Sequence, residues 1–258
     1  MLLNYMKSEW YRIARSKEGY LLVGVLCAIV LAANVLLAVM AGTPDFPYAT
    51  ARFSLSNVIM SLGALFLMAG LLVWLLFGDD RKNGTLKNEI AQGLARRDLF
   101  AGKCLVSIAW GLMGLAVILI VYVGSAALLL EGPVLEPATH LVKGVLSALP
   151  FTVACVVLAV AACIVSPKPA NAFMIWLTVV CLVPMALDAV GRVVEPVAVL
   201  ASWMPYNFFA NEVLINMSGA AEFLWDTPQG LAKCLISGFA GIAAFSAAGL
   251  WRIGKTEL

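Results

Sequence analysis

Charge is scarce in this chain of 258 residues. Asp, Glu, Lys and Arg make up 12% of it, where a water-soluble domain carries about a quarter, and 62% of its residues are hydrophobic. Histidine is nearly absent: His140 is the only one, and it reads as a solvated residue in a short external loop. The six cysteines form no C-x-x-C pair, which removes the usual zinc and redox arrangements. No G-x-x-x-x-G-K-[ST] phosphate loop occurs, so the chain does not bind and split a nucleotide in that way. No apolar run holds paired carboxylates or a Ser/His/Asp set. Ionisable groups inside a bilayer are costly enough to be conspicuous, which argues against an intramembrane enzyme and against an ion-coupled carrier. Basic patches interleaved with aromatics are also missing. The expectation is therefore no catalytic residue, no metal, no cofactor site of its own and no nucleic-acid partner.

What the chain does have is hydrocarbon. Its mean hydropathy is +0.96. Uncharged runs cover Leu21–Met40, Leu55–Gly78, Leu105–Leu130, Val145–Val165, Ala172–Leu187 and Cys234–Leu250. About 20 helical residues cross a bilayer core, so these runs predict an all-α membrane protein with six transmembrane helices. The last two borrow flanking residues, and Pro184 is placed to end the fifth early. The first run exceeds the roughly 7–15 residues of a signal-peptide core and is read as a retained span. With six spans, 13 of the 17 basic residues fall on one side, including those of both chain ends. Cationic loops stay cytoplasmic during insertion, which places both termini in the cytoplasm of a multi-pass plasma-membrane protein.

Three segments outside these runs carry further signals. In residues 1–19, Leu2, Met6, Trp10 and Ile13 recur at helical spacing with Lys7, Arg12 and Arg15 elsewhere on the wheel. That pattern fits a short interfacial helix, or else a basic N-terminus that only fixes orientation. Residues 188–230 hold apolar pieces too short to span. They read as extracellular or re-entrant half-helices, with Trp203, Tyr206, Phe208, Phe209 and Trp225 at interface depth. The N-M-S at Asn216 matches a glycosylation sequon, a pattern too common by chance to carry weight. In the sixth run, Ser237 and Gly241, and the row Ala240, Ala244 and Ala248, are spaced for close helix packing within one bundle rather than a dimer seam.

Charge gathers between the second and third runs. Residues 79–103 read DDRKNGTLKNEIAQGLARRDLFAGK, and ten of these 25 are charged. Thr85 is placed to cap a helix over 86–92 that presents Leu86, Ile90 and Leu94 on one side. Gly93 suits its C-terminal stop, and Asp98 suits the start of the third span. The product would be a short helix across the cytoplasmic face. From the residues alone it is either a lever for a partner or a loop that only enforces orientation.

The same residues resemble the loop of ATP-binding-cassette type-2 permeases. In that pattern a Glu is followed by G-T-[LI]-[KR]-N, then by Gly, Ser/Thr-Arg and Gly-Lys. Here Asp80 takes the Glu position, followed by Gly84, Thr85, Leu86, Lys87 and Asn88, then Gly93, Arg96, Gly102 and Lys103. Two departures stand out: Asp80 is one methylene shorter than Glu, and Ala95 replaces a hydroxyl residue that could cap a helix. The six spans extend the resemblance to small bacterial permeases of antimicrobial-peptide export and immunity.

The resemblance implies the membrane half of an exporter of amphipathic or hydrophobic substrates. It would pair with a second copy or a sister permease, and with separate cytoplasmic ATPase subunits that carry ATP and Mg. Asp80, Gly84, Thr85, Leu86, Asn88, Ile90, Gly93 and Arg96 would couple to the ATPase. By family analogy spans two and five would line the substrate path, with Asn57, Ser61, Met174 and Met185 as lining candidates. The other readings are an immunity or signalling scaffold that binds without transporting, and an uncoupled channel or secondary carrier.

Overall fold

The computed structural model describes residues 2–43, 46–215 and 221–255; Asn216 lies outside them. The first three helices are α1 (Leu2–Arg15), α2 (Lys17–Met40) and α3 (Ala51–Met60), and α4 (Ala64–Phe77) and the short α5 (Thr85–Ala91) follow. Two long helices come next, α6 (Arg96–Leu129) and α7 (Leu135–Val165). Then come α8 (Pro169–Leu177), a π turn (Thr178–Leu182) and α9 (Val183–Gly191). The chain closes with α10 (Glu195–Ser202), α11 (Pro205–Asn211), a two-residue antiparallel ladder and α12 (Pro228–Lys255).

Five helices are long and apolar enough to cross a membrane, and a sixth span exists if α3 and α4 are one span. Those two are bent by 68° at a break of a few residues, so the second predicted span is not a straight helix. Ser61 and Gly63 sit in the break, where small residues relax the helical ladder. The fifth span differs in the opposite sense. Pro184 does not end it: Pro169–Gly191 runs on as one helix. A π turn just ahead of Pro184 absorbs the missing N–H.

The helix α7 is the centre of the bundle. Of its most apolar window 67% is buried, against 6% for α2. Glycines set how closely the neighbours approach. A Cβ on Gly238 of α12 would fall 2.4 Å from Pro150 of α7, and one on Gly70 of α4 would fall 2.3 Å from the Trp176 ring. Gly241 of α12 also faces Ala154 of α7, whereas Ala240, Ala244 and Ala248 face outward. Glycine rather than alanine makes the close seam.

At the end of the bundle away from the chain termini, Asn34 of α2 is fully buried and completely paired. Its Nδ2 donates to Ser125 Oγ at 2.7 Å and to the Tyr122 carbonyl at 3.2 Å, while its Oδ1 accepts from Ser54 Oγ at 2.6 Å. The Tyr122 hydroxyl closes the set by donating to the Ser54 carbonyl at 2.6 Å. This knot ties α2, α3 and α6 together, and each of its groups is neutral.

The segment after α9 is exposed along α10 and packs inward from α11 onward. Phe208, Phe209 and Trp225 are buried, with Phe209 5.5 Å from the Phe66 ring of α4 and Phe223 stacked on Trp225 at 5.2 Å. Of the five aromatics expected at interface depth, Trp203 is exposed. His140 corrects the sequence reading: it lies within α7 rather than in a loop, its ring 4.7 Å from that of Phe223.

Candidate functional site

The charged stretch holds one short helix, α5, between α4 and α6, and this segment is the candidate crosspiece. Gly84 precedes α5 with φ +71°, a conformation that side chains with a Cβ adopt only at a cost, and Gly93 follows it with φ +88°. The helix therefore starts one residue before the expected position. Thr85 makes no side-chain cap; its amide donates to the Asp80 carbonyl at 3.0 Å. Leu86 is 1% exposed, and Ile90 and Leu94 pack against the core, so the apolar side of the helix is the one that the spacing gave. Burying Leu86 contributes about 2 kcal/mol to this seat. Ala95 stands at the cap position of α6 with no side-chain bond, and Asp98 lies in the first turn instead.

Beneath the crosspiece is a buried ionic cluster. Lys103 of α6, its side chain 1% exposed, donates to Asp80 Oδ2 at 2.5 Å and lies 3.6 Å from Glu9 Oε2. Arg12 of α1 reaches Asp80 Oδ1 at 2.8 Å and Glu9 Oε2 at 2.7 Å. Both cations also face the Phe77 ring, Lys103 at 4.3 Å and Arg12 at 5.2 Å. Glu89 of α5 accepts from the Tyr5 hydroxyl at 3.3 Å.

Three carboxylates thus share two cations. Burial is the main cause that pushes the Glu89 carboxyl up to about 7; Lys103 opposes the shift, and Glu9 and Asp80 add to it. Burial, then the charges of Glu9 and Glu89, push the Tyr5 phenol up. Burial works against the Arg12 charge, but the hydrogen bond and charge of Asp80, with Glu9, outweigh it and raise its pKa.

Two arginines tie the crosspiece to helix ends. Arg81 donates to the Ile164 carbonyl at 3.1 Å and to that of Val165, at the C-terminus of α7. Arg96 donates to the Ile253 carbonyl at 3.0 Å, near the C-terminus of α12. These are carbonyls that a helix leaves unpaired, at the negative end of its dipole. The loop therefore touches α1, α6, α7 and α12 at once.

Of the residues singled out in the sequence, Asp80, Leu86 and Ile90 face inward, Asn88 is exposed, Gly84 and Gly93 set the two bends, Thr85 starts the helix and Arg96 ties it to α12. Sequence reasoning missed Tyr5, Glu9, Arg12, Arg81, Glu89 and the depth of Lys103. The i, i+3 spacing of Glu9 and Arg12 was the one signal available, and it could not name a partner 68 residues away.

The four substrate-path candidates all lie on the surface of the bundle. Asn57 is exposed and its Nδ2 donates to its own helix at Phe53, Ser61 lies exposed at the α3–α4 break, and Met174 and Met185 are about half exposed on the outer face of the fifth span. None lines the apolar cavity of about 200 Å³ enclosed by α2, α4, α6 and α7, whose walls include Leu26, Leu72, Trp110, Leu115 and Val153. Among the described residues no group of three or more His, Cys, Asp and Glu side chains is placed to hold a metal ion.

The comparisons bear on the whole arrangement. A family model described as ABC-2 family transporter protein matches residues 5–185, which takes in α1, the crosspiece and the fifth span as far as Met185. No curated protein matches the chain.

Proposed function

The chain belongs to the ABC-2 family of transporter proteins, and on that footing we propose that it is the permease half of an ATP-driven exporter of amphipathic or hydrophobic substrates. Family membership makes it a multi-pass membrane component whose ATPase activity resides in a partner. The proposal adds the direction, the substrate class and the route of coupling. A separate cytoplasmic ATPase docks on α5, and the permease pairs with a second copy or a sister chain in a bacterial plasma membrane with both termini inside. Antimicrobial peptides fit the substrate class.

One observation carries the reading. The loop that holds α5, with positive-φ glycines on either side of the helix, is bound to four others: Glu89 of α5 to α1, Asp80 and Arg81 ahead of it to α6 and α7, and Arg96 after it to α12. A push on its exposed outer side would pass to α1 through Glu89, and through the two glycine bends to the residues tied to α6, α7 and α12. Asp80, Leu86 and Ile90 act as its inner anchors, Gly84, Thr85 and Gly93 set its geometry, Arg96 links it to the last span, and Asn88 belongs to its outer surface. Swinging a transporter from 1:99 to 99:1 needs about 5.5 kcal/mol of differential binding, within reach of two nucleotides on a partner. The apolar cavity is consistent with a hydrophobic substrate.

The test uses the chain reconstituted in vesicles with its cognate ATPase. Arg96→Ala should lower the permease's stimulation of ATP hydrolysis several-fold, and so should Asp80→Ala. Asn88→Trp, on the exposed side of α5, should block ATPase docking while leaving the thermal midpoint in place. Full stimulation in all three variants would overturn the coupling route. ATP-dependent movement of a hydrophobic peptide across the vesicle wall separates a transporter from a scaffold that only binds.

A further inference from the structure

The face of α1 turned away from the ionic cluster is unlike the rest of the terminal end of the bundle. Gly102 of α6 lets α1 lie against it, since a Cβ there would fall 2.6 Å from the Tyr5 ring. Beside that crossing the two helices diverge and leave an open groove of about 550 Å³. Leu3, Trp10 and Tyr11 of α1 and Leu105 and Ala109 of α6 form its apolar walls. Leu3 is 66% exposed, Tyr11 57% and Leu105 47%. Such a patch is costly against water and free of cost against hydrocarbon.

The rim of the groove has one sign of charge. Lys7 lines it and makes no hydrogen bond or ion pair among the described residues, and Arg15 sits 4.2 Å above the Tyr11 ring. No Asp or Glu lines it; the nearest acidic residue of α1, Glu9, is buried and turned to Arg12 and Lys103. The lysine therefore has no anion within the described protein to neutralise it.

We propose that this groove between α1 and α6 binds one anionic phospholipid, with an acyl chain against Leu105 and Ala109 and the phosphate at Lys7. Charge complementarity selects the occupant. An apolar floor under a purely cationic rim fits an amphiphile with a negative head, and the basic bias of this side of the chain assigns it to the leaflet whose surface is negative. A zwitterionic lipid offers the same hydrocarbon and less attraction. Because α1 also carries Glu9 and Arg12, a seated lipid would hold the ionic cluster in register. The site does not depend on what the permease moves.

The experiment uses the whole chain purified in micelles, with photoactivatable phosphatidylglycerol and its phosphatidylcholine counterpart as probes. The phosphatidylglycerol adduct should map to peptides containing residues 3–14 and 105–109, and should exceed the phosphatidylcholine adduct about fivefold, the share of one cation at a membrane surface. Lys7→Gln should erase that preference and leave a weak adduct with either lipid. Ala109→Phe, a change at an exposed position, should suppress both adducts. Equal labelling of the two lipids by the native chain, an adduct mapped elsewhere, or a preference that survives Lys7→Gln would each overturn the proposal. So would an inter-chain disulfide formed by Ala109→Cys in phosphatidylglycerol vesicles, which would make the groove a contact between copies.

Discussion

The two polar clusters of this bundle solve the same problem with opposite chemistry. At one end Asn34, Ser54, Tyr122 and Ser125 join three helices through neutral hydrogen bonds with every group paired. At the other, Glu9, Arg12, Asp80, Glu89 and Lys103 join α1, α5 and α6 through charges that do not balance. A satisfied neutral knot has one protonation state and acts as a fixed strut. A cluster with more carboxylates than cations can take up a proton, which makes its grip sensitive to pH. The fixed knot holds the lipid-exposed α2 and the bent α3, while the variable cluster underlies the crosspiece.

The comparison breaks most visibly at Lys103. Lys103→Ala leaves Asp80 and Glu9 buried with one cation fewer and should destabilise the protein by about 3–5 kcal/mol, measured by unfolding in mixed micelles. Lys103→Met combined with Asp80→Leu should recover much of that loss, because it removes both partners of the closest pair and leaves Glu9 paired with Arg12. At the neutral end the same logic gives a smaller number. Asn34→Ala takes one partner each from Ser54 and Ser125, which keep their bonds to Tyr122, and should cost about 1–3 kcal/mol, with no dependence on pH between 5 and 8.

The pH dependence sharpens the contrast. The docked Glu89 carboxyl has its pKa raised from 4.5 to about 7. Proton binding therefore favours the docked crosspiece. That contribution is fully present below the ordinary value and is lost as pH rises through about 7. Hydrogen-exchange protection of residues 85–91, corrected for intrinsic rates, should fall between pH 5 and 8, and Glu89→Gln should flatten the change. The smallest effect belongs to the surface. Arg192 and Asp188 pair at 3.1 Å with the Arg192 side chain 79% exposed, so Arg192→Ala should shift stability by less than about 0.5 kcal/mol.

Spans were legible because a run of about 20 apolar residues has few other fates. The inner side of α5 was legible for a related reason: Leu86, Ile90 and Leu94 repeat at helical spacing, and Gly93 marks the stop. The candidate site was legible only in part. Asp80 and Lys103 stood out as charges within a motif, but nothing local places a lysine side chain at 1% exposure between two carboxylates from distant segments. The bend between α3 and α4 and the passage through Pro184 were equally hidden, since small residues and π turns permit a distortion without requiring it.

The sequence by itself determined the class of solvent this chain occupies, the number of crossings to within one, and the place where its charge gathers, because each follows from composition along a single stretch. The tertiary structure decided which charges meet, which aromatics turn inward and which glycines set helix spacing. Those outcomes depend on distances between segments far apart in the chain, and no one segment encodes a distance to another.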